Sequence, residues 1–516
     1  MYKKLLVVAT MILFSGVFAT AQEIHGTCGT VGEWAEIVAQ RTLKNKIAIR
    51  QGLVPQGRDI EYVPIRFHLV AATNGTGRVK EARVLDQLCA LNNDYAPIEI
   101  QFYFKKGADG SLFNYIDNST VFNTPGSPAA RLLMNSQRDN GAINIFIVQN
   151  ATAAGNNDVQ TLGYFDPNSD WIVMIKDDVS LGETTLPHEV GHFFDLAHPH
   201  NGWDAIPYDP DIHGIPAPAF SPGGVPTERQ NGSNCETAGD FLCDTAPDYN
   251  FGLGWPNCNY TGGALDPLGD LVDPDEVLFM GYFLNGCARG DYYFSEEQMD
   301  IVNASLFSSE RAYVRPGITP SLAVIDEAPT LIEPDVGETV PGYNEVWIDW
   351  SSVNGAEYYW LEIDNLPSFN TSNLQTYLVT SSTIPLELEP SKPYFWRVYA
   401  FTTYSTCGGV SATGSFLTDN TVATKDIAGL SNWTAFPNPT SGNQNVSVSL
   451  QAEQAFEANV QLLSVDGKQV QNIGTRLIEA GENFFQIGVG DLAEGVYILS
   501  LVSEAGVSNK RIVVSK

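Results

Sequence analysis

One stretch constrains this 516-residue chain more than any other: His188-Glu189-Val190-Gly191-His192-Phe193-Phe194-Asp195-Leu196-Ala197-His198. On a helix, two histidines four apart project from one face, a turn apart, so both imidazoles can reach a single ion. Glu189 then faces the open side of that ion, where a carboxylate can take a proton from water. His198 lies six residues past His192, and a continuous helix would aim it about 120° away. The spacing therefore predicts that the helix ends near Asp195 and that the chain turns back. Three neutral imidazoles with a fourth position left for water are the donor set of an open, catalytic zinc site. Thr184 or Thr185 is placed to cap the helix, and Pro187 fits its first turn. The bland reading is a helix with unrelated histidines. A rival zinc set would use His188, His192 and Glu228 or Glu236.

The flanks of this stretch are informative in different ways. Asn144–Val148 and Trp171–Ile175 read as buried strands, one of which can form the edge along which an extended peptide lies. His68 sits on a core strand and is expected to be a satisfied buried histidine; His200 and His213, on a Pro-rich loop, carry no assigned role. Between Asp177 and Asp300 there are 22 acidic residues against Arg229 and Arg289 alone. Such a cluster on Gly- and Pro-rich loops is either solvated or bridged by hard cations such as Ca²⁺. The whole chain has a net charge of −32, which argues against nucleic acid and against an anionic membrane surface.

Hydrophobic residues at 43% supply several cores, and the length suggests three or four domains. Residues 1–21 read as a signal peptide: Lys3 and Lys4, an apolar run from Leu5 to Phe18, then Ala19-Thr20-Ala21. That run is too short to span a bilayer, and no later run is long enough, so the chain has no integral membrane segment and its cysteines meet a disulfide-permissive compartment. Residues 325–418 alternate as strands, with Val346, Ile348 and Trp350 on one face, and Leu388-x-Pro390-x-x-x-Tyr394 has the form of a tyrosine corner. A polar linker, 419–432, precedes a last region, 433–516. There, alternation is broken by turns such as Asp466-Gly467, and a small β-sandwich is expected. A carbohydrate-binding or adhesive module would show the same alternation.

From about Val63 to Val302 the sequence resembles the metzincin metallopeptidases, and within them the pappalysin/cytophagalysin branch. The resemblance rests on the zinc stretch and on Val63-Pro64-Ile65-Arg66-Phe67-His68, Gly232-Ser233-Asn234-Cys235, Gly239-Asp240-Phe241-Leu242-Cys243-Asp244-Thr245 and Phe279-Met280-Gly281-Tyr282. It departs at Asp195, where the family has Gly at a bend, and at Leu278, where it often has a polar residue. Asp tolerates positive φ better than most residues, so the bend is expected to survive. The resemblance implies that Met280 forms a turn beneath the metal and that Tyr282 helps hold an oxyanion; ordinary core roles are the alternative. It also implies Cys235–Cys258 and Cys243–Cys287 disulfides, with Cys407 unpaired, and makes Asp240 and Thr245 the candidate calcium ligands, with Asp244 nearby. Cys28, in a propeptide spanning 22–60, would place its thiolate on the zinc in a latent form; a Cys28–Cys89 disulfide is the alternative. Removal of the propeptide would need a cut between about Arg41 and Glu61, after Arg50 or Arg58.

Residues 325–418 resemble a fibronectin type III domain, and 433–516 resemble the type A sorting domain of the type IX secretion system. The architecture expected is thus multidomain: an α/β (α+β) metzincin-like peptidase domain over 61–318, then two all-β sandwiches. The expected protein is a monomeric, secreted or surface-attached zinc endopeptidase, exported through the periplasm by the type IX machinery and acting on protein or peptide substrates. An exported adhesion protein with a vestigial zinc site is the competing expectation, and an intact Glu189 speaks against it.

Overall fold

The structure is a computed structural model that describes residues 27–55, 59–152, 161–320, 324–325, 327–420, 427–441, 445–464, 467–503 and 506–515. The expected signal peptide, Arg58 and the middle of the expected linker lie outside these residues. The chain divides into two units. The first holds residues up to Glu327 together with Asn354–Glu357 and Ala400–Gly409; the second holds Ala328–Val353, Tyr358–Tyr399 and Val410–Lys516.

The first unit is built on a seven-stranded sheet. Its strands are β1 (Thr27–Cys28), β2 (Glu61–Ala71), β3 (Ile100–Phe104), β4 (Asn114–Asp117), β5 (Ile143–Val148), β6 (Thr161–Asp166) and β7 (Trp171–Ile175). Their spatial order is β1-β6-β7-β5-β2-β3, with β4 also beside β2. Strand β2 pairs in parallel with β3 through Glu61–Ile65, with β4 through His68–Ala71, and with β5 on its other edge. Strands covered on both faces read as near-continuous apolar runs; β5 and β7 are buried at every residue. Both are therefore interior, and the expectation that one of them forms the sheet edge is corrected. The last strand of the continuous sheet is β6, antiparallel to β7, and β1 adds to it in parallel.

Helices α1 (Glu33–Arg50), α2 (Glu81–Tyr95), α3 (Ser119–Asn123), α4 (Pro128–Gln137), α5 (Thr185–Phe193), α6 (Pro210–His213) and α7 (Glu296–Leu306) accompany the sheet. Close approach positions α5. A Cβ on Gly163 of β6 would lie 2.9 Å from Thr185 Cγ2 and 3.1 Å from Glu189 Cγ. The Tyr95 hydroxyl, on α2, donates to the Pro187 carbonyl at 3.0 Å. His68 is satisfied as expected: it is fully buried, stacked on Phe146, and bonded through its two ring nitrogens to Asn144 and Asn114.

The second unit contains two sandwiches, each of a three-stranded and a five-stranded sheet. In the first, Val346, Ile348 and Trp350 are buried while Trp347 is half exposed. The tyrosine corner forms, with the Tyr394 hydroxyl accepting from the Glu389 N–H at 2.9 Å. The region expected as one module over 325–418 lends Asn354–Glu357 and Ala400–Gly409 to the first unit. In the last sandwich, Val446, Val448, Leu450, Val460, Leu462, Leu499 and Leu501 share one core. Its opening strand, Leu430–Phe436, begins inside the stretch expected as linker.

Candidate metal centre

Helix α5 carries His188, Glu189 and His192, all buried. It ends at Phe193, and Asp195 adopts φ 66°, so the chain turns back where the spacing predicts. Thr184 stands at the N-cap, but its side chain makes no capping bond. Arg311 closes the other end, donating through Nε to the Phe193 carbonyl at 3.0 Å; a guanidinium at a helix C-terminus satisfies carbonyls left without intrahelical partners.

The bend brings three imidazoles together. His188 Nε2 lies 3.1 Å from His198 Nε2 and 3.1 Å from His192 Nε2, and His192 and His198 are 3.0 Å apart. The opposite nitrogens face acceptors: Phe279 O at 2.7 Å for His188, Leu196 O at 2.7 Å for His192, and Asp204 Oδ1 at 2.5 Å for His198. These acceptors assign the ring protons to Nδ1 and leave three Nε2 lone pairs converging. Burial holds the rings neutral, with His188 lowered to about 4 and His192 and His198 well below the ordinary range. Three converging lone pairs repel unless a cation lies among them. Ligands 2.0–2.1 Å from one tetrahedral zinc ion would stand about 3.3 Å apart, close to the spacing seen. The donor set therefore fits zinc.

Around this triad the structure places the other expected residues. The Cys28 Sγ and the three imidazole nitrogens lie within 4.8 Å of one another, and Cys28 forms no disulfide, which corrects the Cys28–Cys89 alternative. Burial and the Glu189 carboxylate push the Cys28 thiol well above its ordinary value. Glu189 is fully buried beside Cys28, Thr30 and the Phe165 backbone, and burial raises it to about 8. The Tyr282 hydroxyl lies 3.3 Å from His198 Nε2 and 3.4 Å from the Cys28 carbonyl. Met280 is fully buried under α5: a Cβ on Gly191 would meet its Sδ at 2.5 Å. A cavity of about 20 Å³ remains between Cys28, His188, Glu189 and Tyr282, room for about one water.

Other candidates fall elsewhere. Glu236 pairs with Arg50 and Lys46, and Glu228 is buried beside Gly239; neither joins the triad. Thr245 Oγ1 donates to Asp240 Oδ1 at 3.0 Å, where the Leu242 N–H also donates, so these two calcium candidates are bonded to each other. Asp244 accepts from Ser295 Oγ and the Glu297 N–H at the start of α7. His213 Nδ1 accepts from the Asp209 N–H. His200 is fully buried, stacked on His198 with ring centres 4.5 Å apart.

The implied disulfides are corrected. Cys235 bonds Cys243 and Cys258 bonds Cys287, with Cα separations of 5.1 and 4.7 Å. A tight turn explains the first: Asp240 Oδ1 accepts from the Leu242 N–H, Phe241 takes φ 68°, and the chain folds back within eight residues. Cys407, expected to be unpaired, bonds Cys89 of α2. It lies on the Ala400–Gly409 segment, which runs beside β3, where the Phe104 N–H donates to Thr403 O at 2.9 Å and Tyr404 stacks on Tyr103. Sequence reasoning missed Asp204, which holds His198, and Thr30, whose N–H donates to Cys28 Sγ at 3.2 Å. No periodicity or spacing marks either residue.

Residues 434–515 match the family described as the secretion system C-terminal sorting domain. That domain marks the chain as a secreted or cell-surface protein, and the buried triad gives it a candidate metal centre. The chain is similar to an extracellular metalloprotease of Colletotrichum graminicola (strain M1.001 / M2 / FGSC 10212), at 24% identity over 249 residues, covering 43% of this chain and 76% of the relative. Among solved structures it resembles a Tannerella forsythia promirolysin mutant at 17% identity and a TM-score of 0.35, covering 56% of this chain and 97% of that one. Fibronectin(III)-like modules of Clostridium thermocellum CbhA match at 16% identity and a TM-score of 0.14, covering 36% and 92%. Among the described residues, no helix is long and apolar enough to cross a membrane.

Proposed function

We propose that the protein is a zinc-dependent endopeptidase of the pappalysin-like metzincin kind, made as a latent precursor. The observation that carries this reading is the convergence of three Nε2 atoms, each backed by an acceptor at Nδ1, beside the buried Glu189 carboxylate. His188, His192 and His198 would hold the ion, which when bound polarises a scissile carbonyl and acidifies a water.

The rest is the work of the chain's own side chains. Glu189 takes the proton of the attacking water and delivers it to the leaving amine. Tyr282 donates to the developing oxyanion from its position beside His198. Phe279 O, Leu196 O and Asp204 fix the ring orientations, and Met280 supports α5 from below. Strand β1 lies along β6 and carries Cys28 to the triad, so the segment 22–60 would block the cleft until it is cut and removed. The thiol becomes a thiolate when a cation lies beside it.

The substrates would be extracellular proteins or peptides in extended form, lying along β6 once β1 has left. The test is Glu189→Gln in the processed protein. Retained metal with peptide cleavage lost supports the reading; cleavage at the unaltered rate refutes it.

A further inference from the structure

Each basic residue of α1 meets an acid elsewhere in the first unit. Arg41 lies 3.6 Å from Asp195, Lys44 lies 2.5 Å from Glu310, and Lys46 lies 3.2 Å from Glu297 and 3.6 Å from Glu236. Arg50 pairs with Glu236. Part of the acid density between Asp177 and Asp300 thus faces this helix.

Asp195 is the most heavily engaged of these acids. From α1, Asn45 Nδ2 donates to its Oδ2 at 3.0 Å and Thr42 Oγ1 donates to its carbonyl at 2.6 Å. From the other side, Ser305 Oγ donates to Oδ2 at 2.7 Å, and Arg311 stands 3.8 Å from Oδ1. Arg41, Thr42 and Asn45 lie within one turn of α1, so a single helical face reads a single residue. At φ 66° a glycine would make the same bend without steric cost. What Asp195 adds is the carboxylate, and half of its contacts go to α1.

We propose that Asp195, Glu236, Glu297 and Glu310 form a docking surface whose ligand is the basic helix 33–50 itself, recognised through Asp195, and that the helix stays bound as a separate peptide after the chain is cut behind it. The proposal rests on the reading of residues 22–60 as a removable segment. It adds that cutting and release are separate steps. The outer ion pairs, Lys44–Glu310 and Arg50–Glu236, are more than half exposed at both or nearly both partners and weaken with salt. The Asp195 contacts with Thr42 and Asn45 are buried and persist.

The test uses the full chain with a specific protease site inserted between Gln51 and Glu61. After cutting, retention of the amino-terminal fragment is followed by size exclusion and mass spectrometry. The fragment is expected to remain bound and to leave on the order of tenfold faster or more from Asp195→Asn, which keeps the size and turn preference of the residue. The same loss is expected from Arg41→Ala combined with Asn45→Ala, which leaves the rest of the unit untouched. A Cys28→Ala fragment should still be retained. Immediate release of the wild-type fragment, or equal retention in all variants, overturns the proposal. Failure of the latency reading has a separate signature: peptide cleavage at one rate whether the fragment is bound or gone.

Discussion

Two contacts hold residues 27–50 to the first unit, and they differ in kind. At β1 the contact is buried and close-packed: one thiol, three neutral imidazoles and a buried carboxylate. At α1 it is charged, with four cations of one helix on acids of the unit and solvent at its margin. The first depends on what lies among the imidazoles and is insensitive to screening. The second depends on ionic strength and is indifferent to the metal. Both converge on one short segment, since the Asp195 bend that receives α1 is the bend that brings His198 to His188.

The largest effect expected is at the buried contact. Glu189→Gln should slow peptide cleavage by roughly 10³-fold or more, with metal content unchanged; a loss of metal as well would make the residue structural. Next, Cys28→Ala should raise cleavage by the uncut precursor toward the rate of the processed protein, measured on an unstructured peptide. An uncut Cys28→Ala protein as inert as the wild type would leave α1 as the stronger block and reverse the ranking of the two contacts.

Away from both contacts, replacing Cys89 and Cys407 by Ser should cost about 2–5 kcal/mol, read as a lower melting temperature, with the cleavage rate at room temperature retained. A smaller effect concerns Glu228 and Asp240, near the acids that receive α1. Burial raises both carboxyls above their ordinary range, with Asp240 a like charge beside Glu228 and Asp244 one beside Asp240. In the unfolded chain both ionise near pH 4. Between about pH 4 and these raised values the folded state binds more protons, so stability falls as pH rises. Glu228→Gln should flatten that fall, seen as a smaller drop in melting temperature between pH 5 and pH 9; an unchanged slope would mean that the pair does not titrate.

The zinc stretch was legible because its geometry is local. Four-residue spacing fixes His188 and His192 on one face, and the six-residue step to His198 demands the bend that Asp195 makes. The tyrosine corner and the buried strands were legible for the same reason. The disulfides were not, because their partners are chosen by how distant segments are laid down. Cys89 and Cys407 are 318 residues apart, and no periodicity links them. The sheet edge was misplaced because β6, Thr161–Asp166, contains Gly163 and ends in Asp, so it reads as a weaker strand than β5 or β7. Its glycine serves the close approach of α5. Nor does a sequence show that the cations of residues 41–50 match acids up to about 270 residues away.

The central claim is that three imidazoles hold a metal ion used for peptide cleavage, and metal analysis of the purified full chain tests it most directly. The account predicts one zinc ion per chain, lost in His198→Ala while the far-ultraviolet circular dichroism is kept. A chain that binds no stoichiometric metal, or a His198→Ala variant that holds it as firmly as the wild type, would contradict it.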